Sequence, residues 1–366
     1  MIRGAVRFVG GTATLITGGW ALRALQGTPS ALGAGPGAIA AVAKNSPHFH
    51  DGVFTNLEPS SSINLSASNQ RTLVRDLIAG RSEAHPAGEI PLVTPVTGAK
   101  TGDLAVTWYG HSSAVLEVDG YRVLADPVWS QRCSPSRAVG PQRLHPVPAP
   151  LEALPAIDAV IISHDHYDHL DVDTIKALAR SQRATFFVPL GIGAHLREWH
   201  VPENRIIELD WGQVGELGEL RLVCTPARHF SGRFLTRNTT LWSSWAVIGP
   251  RHRAFFGGDT GYTASFAGVG DDHGPFDLTL MPVGAYHPGW PDIHMNPEDA
   301  VRAHREVTDG GLLVPIHWAT FRLAPHPWSE PVERMLKAAA AEGVPVATPK
   351  PGELVSASTI NPWWRD

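Results

Sequence analysis

The 366-residue sequence predicts a layered α/β fold with two β-sheets in the middle. Two observations lead to this prediction. Short runs of β-branched and aromatic residues recur from Leu104 onward, and turn residues separate many of them, so they indicate strands that include antiparallel hairpins. Segments with apolar residues at helical spacing are interspersed among these runs. The combination favours sheets that are covered by helices.

The predicted elements follow in chain order. The first strands, LAVTWY, SAVLEV and YRVLAD, form a meander because G-H and D-G turns separate them. A Pro-rich loop comes next, and the apolar strand IDAVIIS follows it. Further strands are predicted at TFFVP, RIIELD, ELRLVCT, LWSSWAVIG, RAFFGGD, LTLMPVG and GLLVPIH. Helices are predicted at DVDTIKALAR, NPEDAVRAHREV and SEPVERMLKAAAAEG, and Asp and Asn cap the first two.

Composition divides the chain near residue 100. Residues 1–100 are rich in Gly, Ala, Pro and Ser, and their one clear periodic segment, RTLVRDLI at 71–78, predicts a short helix before a Pro-punctuated linker. We therefore predict an N-terminal extension over residues 1–100 and one folded domain over residues 101–366.

An apolar segment lies near the N-terminus. Arg3 and Arg7 precede residues 8–22, which carry no charge. The segment is short for a membrane span, which needs about 20 residues, but it fits a signal peptide or a helix lying on a bilayer surface. A loose extension without a role is the third interpretation. The protein is thus expected to be membrane-associated or cytoplasmic, with export through this segment as the alternative.

Charge and cysteine content narrow the function classes. The formal net charge is −5 and the chain has no basic run of five or more residues, so nucleic acid is not an expected partner. Cys133 and Cys224 do not form a C-x-x-C pair and predict no disulfide framework. The 18 histidines are an unusually high number, and they direct attention to metal binding.

The densest cluster of metal-ligand residues is the pattern H-x-H-x-D-H that directly follows the strand VIIS. His164 and His166 alternate and can share one ion, whereas Asp168 and His169 lie on the next turn and can reach a second ion. Imidazole and carboxylate are ligands that zinc accepts, at about 2.0–2.2 Å. A merely solvated polar loop would require chance to supply all four residues.

Four ligands do not complete two sites, so others must come from elsewhere. His229, Asp259 and His317 each lie at or just beyond the end of an apolar run, where the edge of a sheet forms a site. Two glycines precede Asp259 and let the backbone turn tightly there.

The ordered motifs SHDHYDHLD, PARHF, GGDTGY and PIHW resemble the metallo-β-lactamase superfamily. This resemblance implies an αββα sandwich of two mixed β-sheets flanked by helices, with residues 101–366 as a metallo-hydrolase domain. It implies two zinc ions, with iron or manganese as alternatives, at one edge of the sandwich. His164, His166 and His229 would bind the first ion, Asp168, His169 and His317 would bind the second, and Asp259 would bridge them.

A larger set of motifs from about Leu104 to about Leu323 is similar to the N-acyl phosphatidylethanolamine phospholipase D family; it includes WYGHSS, LADPVWSQRCSPS, GPFDL, NPEDAVRAH and IHWATF. The resemblance implies hydrolysis of a phosphodiester in a phospholipid by a metal-activated hydroxide, with Asp168 and Asp259 as catalytic residues. A membrane surface and a homodimer are the further partners expected. The alternative is a lactonase or another carbonyl hydrolase, because the fold hosts several chemistries.

Three more residues are candidates for supporting roles. His294 precedes a strongly capped helix, and the resemblance places its loop over the active site, where its imidazole can donate to the substrate phosphate; a surface histidine is the alternative. His111 and Asp126 follow early strands and are predicted to orient metal ligands. Stabilisation of turns is the alternative for both.

Overall fold

The computed structural model describes residues 25–60, 83–96, 98, 102–233 and 236–365. The predicted helix at 71–78 and the apolar segment at 8–22 lie outside these residues. Within the described residues, no helix combines the length and apolar character that a bilayer span requires.

Two mixed sheets form the centre of the fold. The strands are β1 (Phe49–His50), β2 (Val53–Phe54), β3 (Leu104–Gly110), β4 (Ser113–Val118), β5 (Tyr121–Ala125), β6 (Ala159–Ile161), β7 (Thr185–Pro189), β8 (Ile206–Leu209), β9 (Val214–Leu217), β10 (Leu220–Thr225), β11 (Ser244–Ile248), β12 (Arg253–Phe256), β13 (Leu278–Pro282), β14 (Leu312–Ile316) and β15 (Leu354–Val355). One sheet has the order β15-β3-β4-β5-β6-β7-β8, the other has the order β14-β13-β12-β11-β10-β9, and β1 pairs with β2 in a separate hairpin.

Each of the two large sheets combines antiparallel and parallel pairs. Strands β5 to β8 are parallel to one another, and so are β12 to β14. The meander of β3, β4 and β5 is antiparallel, as the G-H and D-G turns predict.

The main core lies between the sheets. Side chains alternate across β4, so that Leu116 packs with the six-stranded sheet while Val115 faces the opposite side. There Val115 shares a second apolar cluster with Ile175 and Leu178. Strands that are buried on both faces have nearly continuous apolar sequences. The sequences AVI of β6 and LTLMP of β13 are of this kind.

Helices cover the outer face of each sheet. They are α1 (Thr28–Leu32), α2 (Pro36–Ala43), α3 (Val172–Ser181), α4 (Ile192–Glu198), α5 (Ser265–His273), α6 (Pro297–Val307) and α7 (Glu330–Glu342). Helix α6 packs on β13 and contacts both α5 and α7, whereas α4 packs on β7 and β8. The Asp171 and Asn296 side chains accept hydrogen bonds from backbone N–H groups in the first turns of α3 and α6. The αββα sandwich and both predicted caps are therefore confirmed.

The described part of the N-terminal region packs against this sandwich. Helix α2 contacts α4, and the Trp199 Nε1 donates to the Ser30 carbonyl at 2.8 Å. In the hairpin β1–β2 the Phe54 side chain is completely buried, and the Phe54 backbone N–H donates to the Asn238 carbonyl at 2.7 Å. These contacts bring residues 49–60 close to the edge of the sheets where the predicted ligands lie.

Candidate metal centre

The predicted ligands follow strands whose carboxyl ends share one edge of the sandwich. His164 lies three residues after β6, Asp259 lies three residues after β12, and His317 directly follows β14. His229 comes four residues after β10, which runs in the same direction as β12 because both pair antiparallel to β11. Side chains from both sheets therefore converge at this edge, where open α/β sheets bind their ligands.

The local backbone at this edge is unusual. His111, Asp126 and His317 adopt positive φ angles of 52°, 38° and 62°. This conformation costs a non-glycine residue about 1–2 kcal/mol, and such residues concentrate at functional sites. Gly258 also has a positive φ, 57°, and a Cβ there would lie 2.6 Å from the Ser163 Cβ. A glycine before Asp259 therefore fits both the turn and the close approach of the two loops.

The first group of ligand atoms belongs to His164, His166 and His229, which lie within 4.8 Å of one another. The His164 Nε2 is 2.8 Å from the His166 Nδ1. Both the His164 Nε2 and the His229 Nε2 are 3.8 Å from the Asp259 Oδ2. The three imidazoles thus face one point beside the Asp259 carboxylate.

The second group consists of Asp168, His169 and His317. The Nε2 atoms of the two histidines are each 3.4 Å from the Asp168 Oδ2. Asp259 also faces this group, since its Oδ2 is 3.1 Å from the His169 Nε2 and its Oδ1 is 3.1 Å from the His317 Nε2. The structure thus brings all seven predicted ligands together, with Asp259 between the two groups.

The donor set fits divalent cations. Among the described residues, the Nε2 atoms of His169, His229 and His317 and the Oδ1 of Asp259 are buried without a hydrogen-bond partner. Buried polar atoms are costly unless something satisfies them, and nearly all have partners in folded proteins. Cations that imidazole and carboxylate ligate, such as zinc, would satisfy these four atoms at once.

Burial and neighbouring charges shift the pKa values of the clustered side chains in different directions. Burial, together with neighbouring imidazoles, holds the pKa of His164 and His229 well below the usual range. Burial disfavours the charged form of His317 as well, but the Asp259 and Asp168 carboxylates outweigh it and raise the pKa to about 9. The carboxylate of Asp259 also raises the pKa of His169. Because metal ligands must be deprotonated, cations binding here would displace protons from His169 and His317.

Hydrogen bonds behind the ligands fix their rings. The buried Asp126 carboxylate accepts from the His169 Nδ1 at 2.6 Å and from the Ser163 N–H at 2.7 Å. The His229 Nδ1 donates to the Ile293 carbonyl at 2.9 Å. In both histidines the Nε2 is left for the cluster, which is the arrangement that metal-ligating histidines adopt.

His111 lies beside the second group. Its Nε2 is 2.9 Å from the Asp168 Oδ2, and its carbonyl accepts from the His317 N–H at 2.9 Å. The Thr320 Oγ1 in turn accepts from the His111 N–H at 2.6 Å. The structure therefore places His111 and Asp126 against the predicted ligands, as the orienting role requires.

His294 lies over the cluster and opens onto a cavity of about 190 Å³. Its Nδ1 is 3.8 Å from the Asp259 Oδ2, and its ring centroid is 5.2 Å from that of His229. Burial lowers the pKa of His294 to about 4, so its imidazole is neutral near pH 7. The cavity is lined by Phe230, Arg237, Ala285, Trp290, Ile293, His294 and Leu323. The positive charge of Arg237 beside an apolar wall suits a ligand with an anionic head group and an apolar chain.

Several groups that hold the cluster were not predicted from the sequence. Ser163, the Ile293 carbonyl and Thr320 all bind predicted ligands or their supports. Two of these contacts are very distant in sequence, since Thr320 lies 209 residues from His111 and Asn56 lies 173 residues from its partner His229. Only the position of Ser163, next to His164, offered a signal in the sequence.

Comparisons with known proteins identify the family and the fold of the chain. The family profile described as "Beta-lactamase superfamily domain" matches residues 121–318, more than half of the chain. An uncharacterized protein of Mycobacterium tuberculosis is 62% identical over 371 residues, which span 100% of both chains. A metallo hydrolase structure from the hyperthermophilic archaeon Ignicoccus hospitalis has a TM-score of 0.55 and 25% identity, covering 69% of this chain and 97% of its own.

A further relative bears a more specific name. The N-acyl-phosphatidylethanolamine-hydrolyzing phospholipase D 1 of Caenorhabditis elegans is 39% identical over 230 residues, covering 60% of this chain and 64% of its own length. The similarity therefore covers only part of each of the two proteins. The profile match and the solved structure together place this chain in the metallo-β-lactamase superfamily, as a metal-dependent hydrolase.

Proposed function

We propose that the protein hydrolyses N-acyl phosphatidylethanolamine-type phospholipids at the phosphodiester, with the bond selectivity of a phospholipase D. The observation that carries this proposal is the cavity beside His294, where a cationic side chain and an apolar wall adjoin the ligand cluster. The partial similarity to the enzyme of Caenorhabditis elegans supports the same substrate class.

Two divalent metal ions are the proposed cofactors, with zinc favoured and iron or manganese as alternatives. His164, His166 and His229 would hold one ion, and Asp168, His169 and His317 would hold the other. Asp259 would contact both, because its two oxygens face both groups. Bound there, the ions supply Lewis acidity and a water molecule whose pKa is lowered to about 7.

Asp168 is the proposed proton-handling residue. Its Oδ2 contacts His111, His169 and His317, and the side chain keeps 14% of its surface exposed, more than Asp259 with 2%. It is thus the carboxylate of the cluster that water reaches, and it can orient the nucleophile as well as bind metal. Asp168→Asn is expected to lose far more turnover than metal. Loss of one metal ion per chain in step with activity would reduce Asp168 to a ligand.

His294 and the cavity wall are proposed to hold the substrate. The neutral His294 imidazole donates to a phosphate oxygen, and Arg237 offers a positive charge at the same opening. Phe230, Trp290 and Ile293 provide apolar contacts for an acyl chain. A membrane surface is the proposed source of such a substrate.

The test compares three substrates with purified protein: N-acyl phosphatidylethanolamine in vesicles, bis(p-nitrophenyl) phosphate and a homoserine lactone. In the proposed reaction, water forms a bond to phosphorus while the bond from phosphorus to the ethanolamine oxygen breaks. Mass spectrometry should therefore find phosphatidate and N-acylethanolamine in equal amounts. Turnover of the lactone alone would favour the carbonyl hydrolase instead.

A further inference from the structure

Asn56 makes an unusual set of contacts for a residue of the N-terminal region. Its Oδ1 accepts from the His229 N–H at 3.0 Å, and its Nδ2 donates to the His229 carbonyl at 2.8 Å. The Oδ1 also accepts from the Trp242 Nε1 at 3.0 Å. Backbone and indole N–H groups only donate, and a carbonyl only accepts, so these partners fix which end of the amide is oxygen.

These bonds supply what the sheet does not give His229. The residue lies beyond the end of β10, so its N–H and C=O have no partner strand. Asn56 pairs with both groups, as a neighbouring strand would, while the ring Nδ1 is held by the Ile293 carbonyl. His229 is thus held at three points, and its Nε2 is left facing the cluster.

The chain on either side of Asn56 is anchored to the sandwich. Phe54 is fully buried and donates from its backbone to the Asn238 carbonyl. Glu58 accepts from the Ala264 N–H at 2.8 Å and from the Thr263 hydroxyl. With both flanks attached, the Asn56 amide has little freedom to leave His229.

We propose that Asn56 is a positioning residue for the metal ligand His229, and that residues 49–60 are therefore part of the metal-binding unit. This inference rests on the metal centre of the proposed function. It assigns a role in metal affinity to a segment that lies well before the first strand of the sandwich.

The test uses the full chain with Asn56→Ala and Asn56→Asp, and Asn45→Ala as the matched control, because Asn45 is an exposed asparagine of the same N-terminal region that lies outside residues 49–60. Zinc dissociation constants are measured by competition with a chromophoric chelator, and the absorption spectrum of the cobalt-substituted protein reports the geometry at His229. Residues that orient a ligand typically change metal affinity 10–100-fold. We expect Asn56→Ala to weaken binding of the ion that His229 would hold at least 10-fold or to abolish it, with an altered cobalt spectrum.

Asn56→Asp should give an intermediate loss, because a carboxylate keeps both accepted bonds but cannot donate to the His229 carbonyl. Asn45→Ala should retain the wild-type affinity. Wild-type affinity in either soluble Asn56 variant would overturn the inference, and so would an equal loss in Asn45→Ala. A wild-type protein that bound no metal would instead contradict the proposed function.

Discussion

Replacing Asp126 with asparagine tests how the ligand His169 is held. The Asp126 Oδ2 accepts from the His169 Nδ1 at 2.6 Å and from the Ser163 hydroxyl at 2.5 Å, and the side chain is fully buried. Because a carboxylate only accepts, the proton of the neutral ring must lie on Nδ1. The lone pair of Nε2 then faces Asp259, which is 3.1 Å away.

An asparagine amide has nearly the same shape but a different donor pattern. Its oxygen can keep the bond from the Ser163 N–H, whereas its NH₂ group meets His169 Nδ1. The ring proton is then driven to Nε2, where it blocks metal binding. Metal binding requires the proton to return to the His169 Nδ1, and a buried N–H donor then has no acceptor. This costs about 1–3 kcal/mol. We therefore expect zinc affinity to fall about 10–100-fold.

The assay is a chelator competition on metal-stripped Asp126→Asn, with thermal unfolding as a check on the fold. Asp119→Asn is the matched control, because Asp119 is also a buried carboxylate with positive φ that accepts from an imidazole, the Nδ1 of His252 at 2.7 Å. The control should lose stability but not zinc affinity. Wild-type affinity in Asp126→Asn, or an equal loss in both variants, would show that the Asp126 carboxylate does not hold His169 in its metal-binding form.

Three further outcomes are expected. His294→Ala should lower turnover of the phospholipid at least 10-fold with unchanged metal content, since a positioned donor to the reacting group typically contributes about 10²-fold or more; wild-type rates would remove it from the site. Gly258→Ala should lower the melting temperature, because the new Cβ would meet Ser163 at 2.6 Å and φ is 57°, and circular dichroism melts would show it. Burial lowers the pKa of His304 to about 4, so the unfolded chain binds a proton between about pH 6.5 and 4 that the native state does not. The free energy of unfolding should therefore decrease as the pH is lowered from about 6.5 to 4, by up to about 3 kcal/mol from this group. Urea titrations of His304→Gln should show a shallower pH dependence, and an unchanged slope would contradict the assignment.

The strands and the ligand edge were predictable because their signals are local. Each ligand follows an apolar run that is long enough to identify a buried strand, and a strand end fixes where the next side chains emerge. The caps Asp171 and Asn296 are equally local, since each binds the first turn of its own helix.

Helices α4 and α5 were not predicted, and both contain glycines that lower helix propensity. In α4 a tertiary contact compensates. The Glu208 carboxylate on β8 accepts from the Gly191 and Gly193 N–H groups at 2.8 and 3.1 Å, and a Cβ at Gly193 would lie 2.3 Å from Glu208. The sequence around α4 contains no trace of this partner.

The supports of the ligands were out of reach for a related reason. His111 and its partner Asp168 are 57 residues apart, and Asn56 and His229 are 173 residues apart. Both contacts join irregular segments, so no periodic pattern marks them. A polar residue type alone does not reveal which distant group it binds.

Seven side chains from the strand ends are proposed to bind two metal ions. Metal analysis of the purified, active protein by inductively coupled plasma mass spectrometry is the most direct test of this proposal. We expect two divalent ions per chain in the wild type and about one in His229→Ala. An active protein with no stoichiometric metal would contradict it.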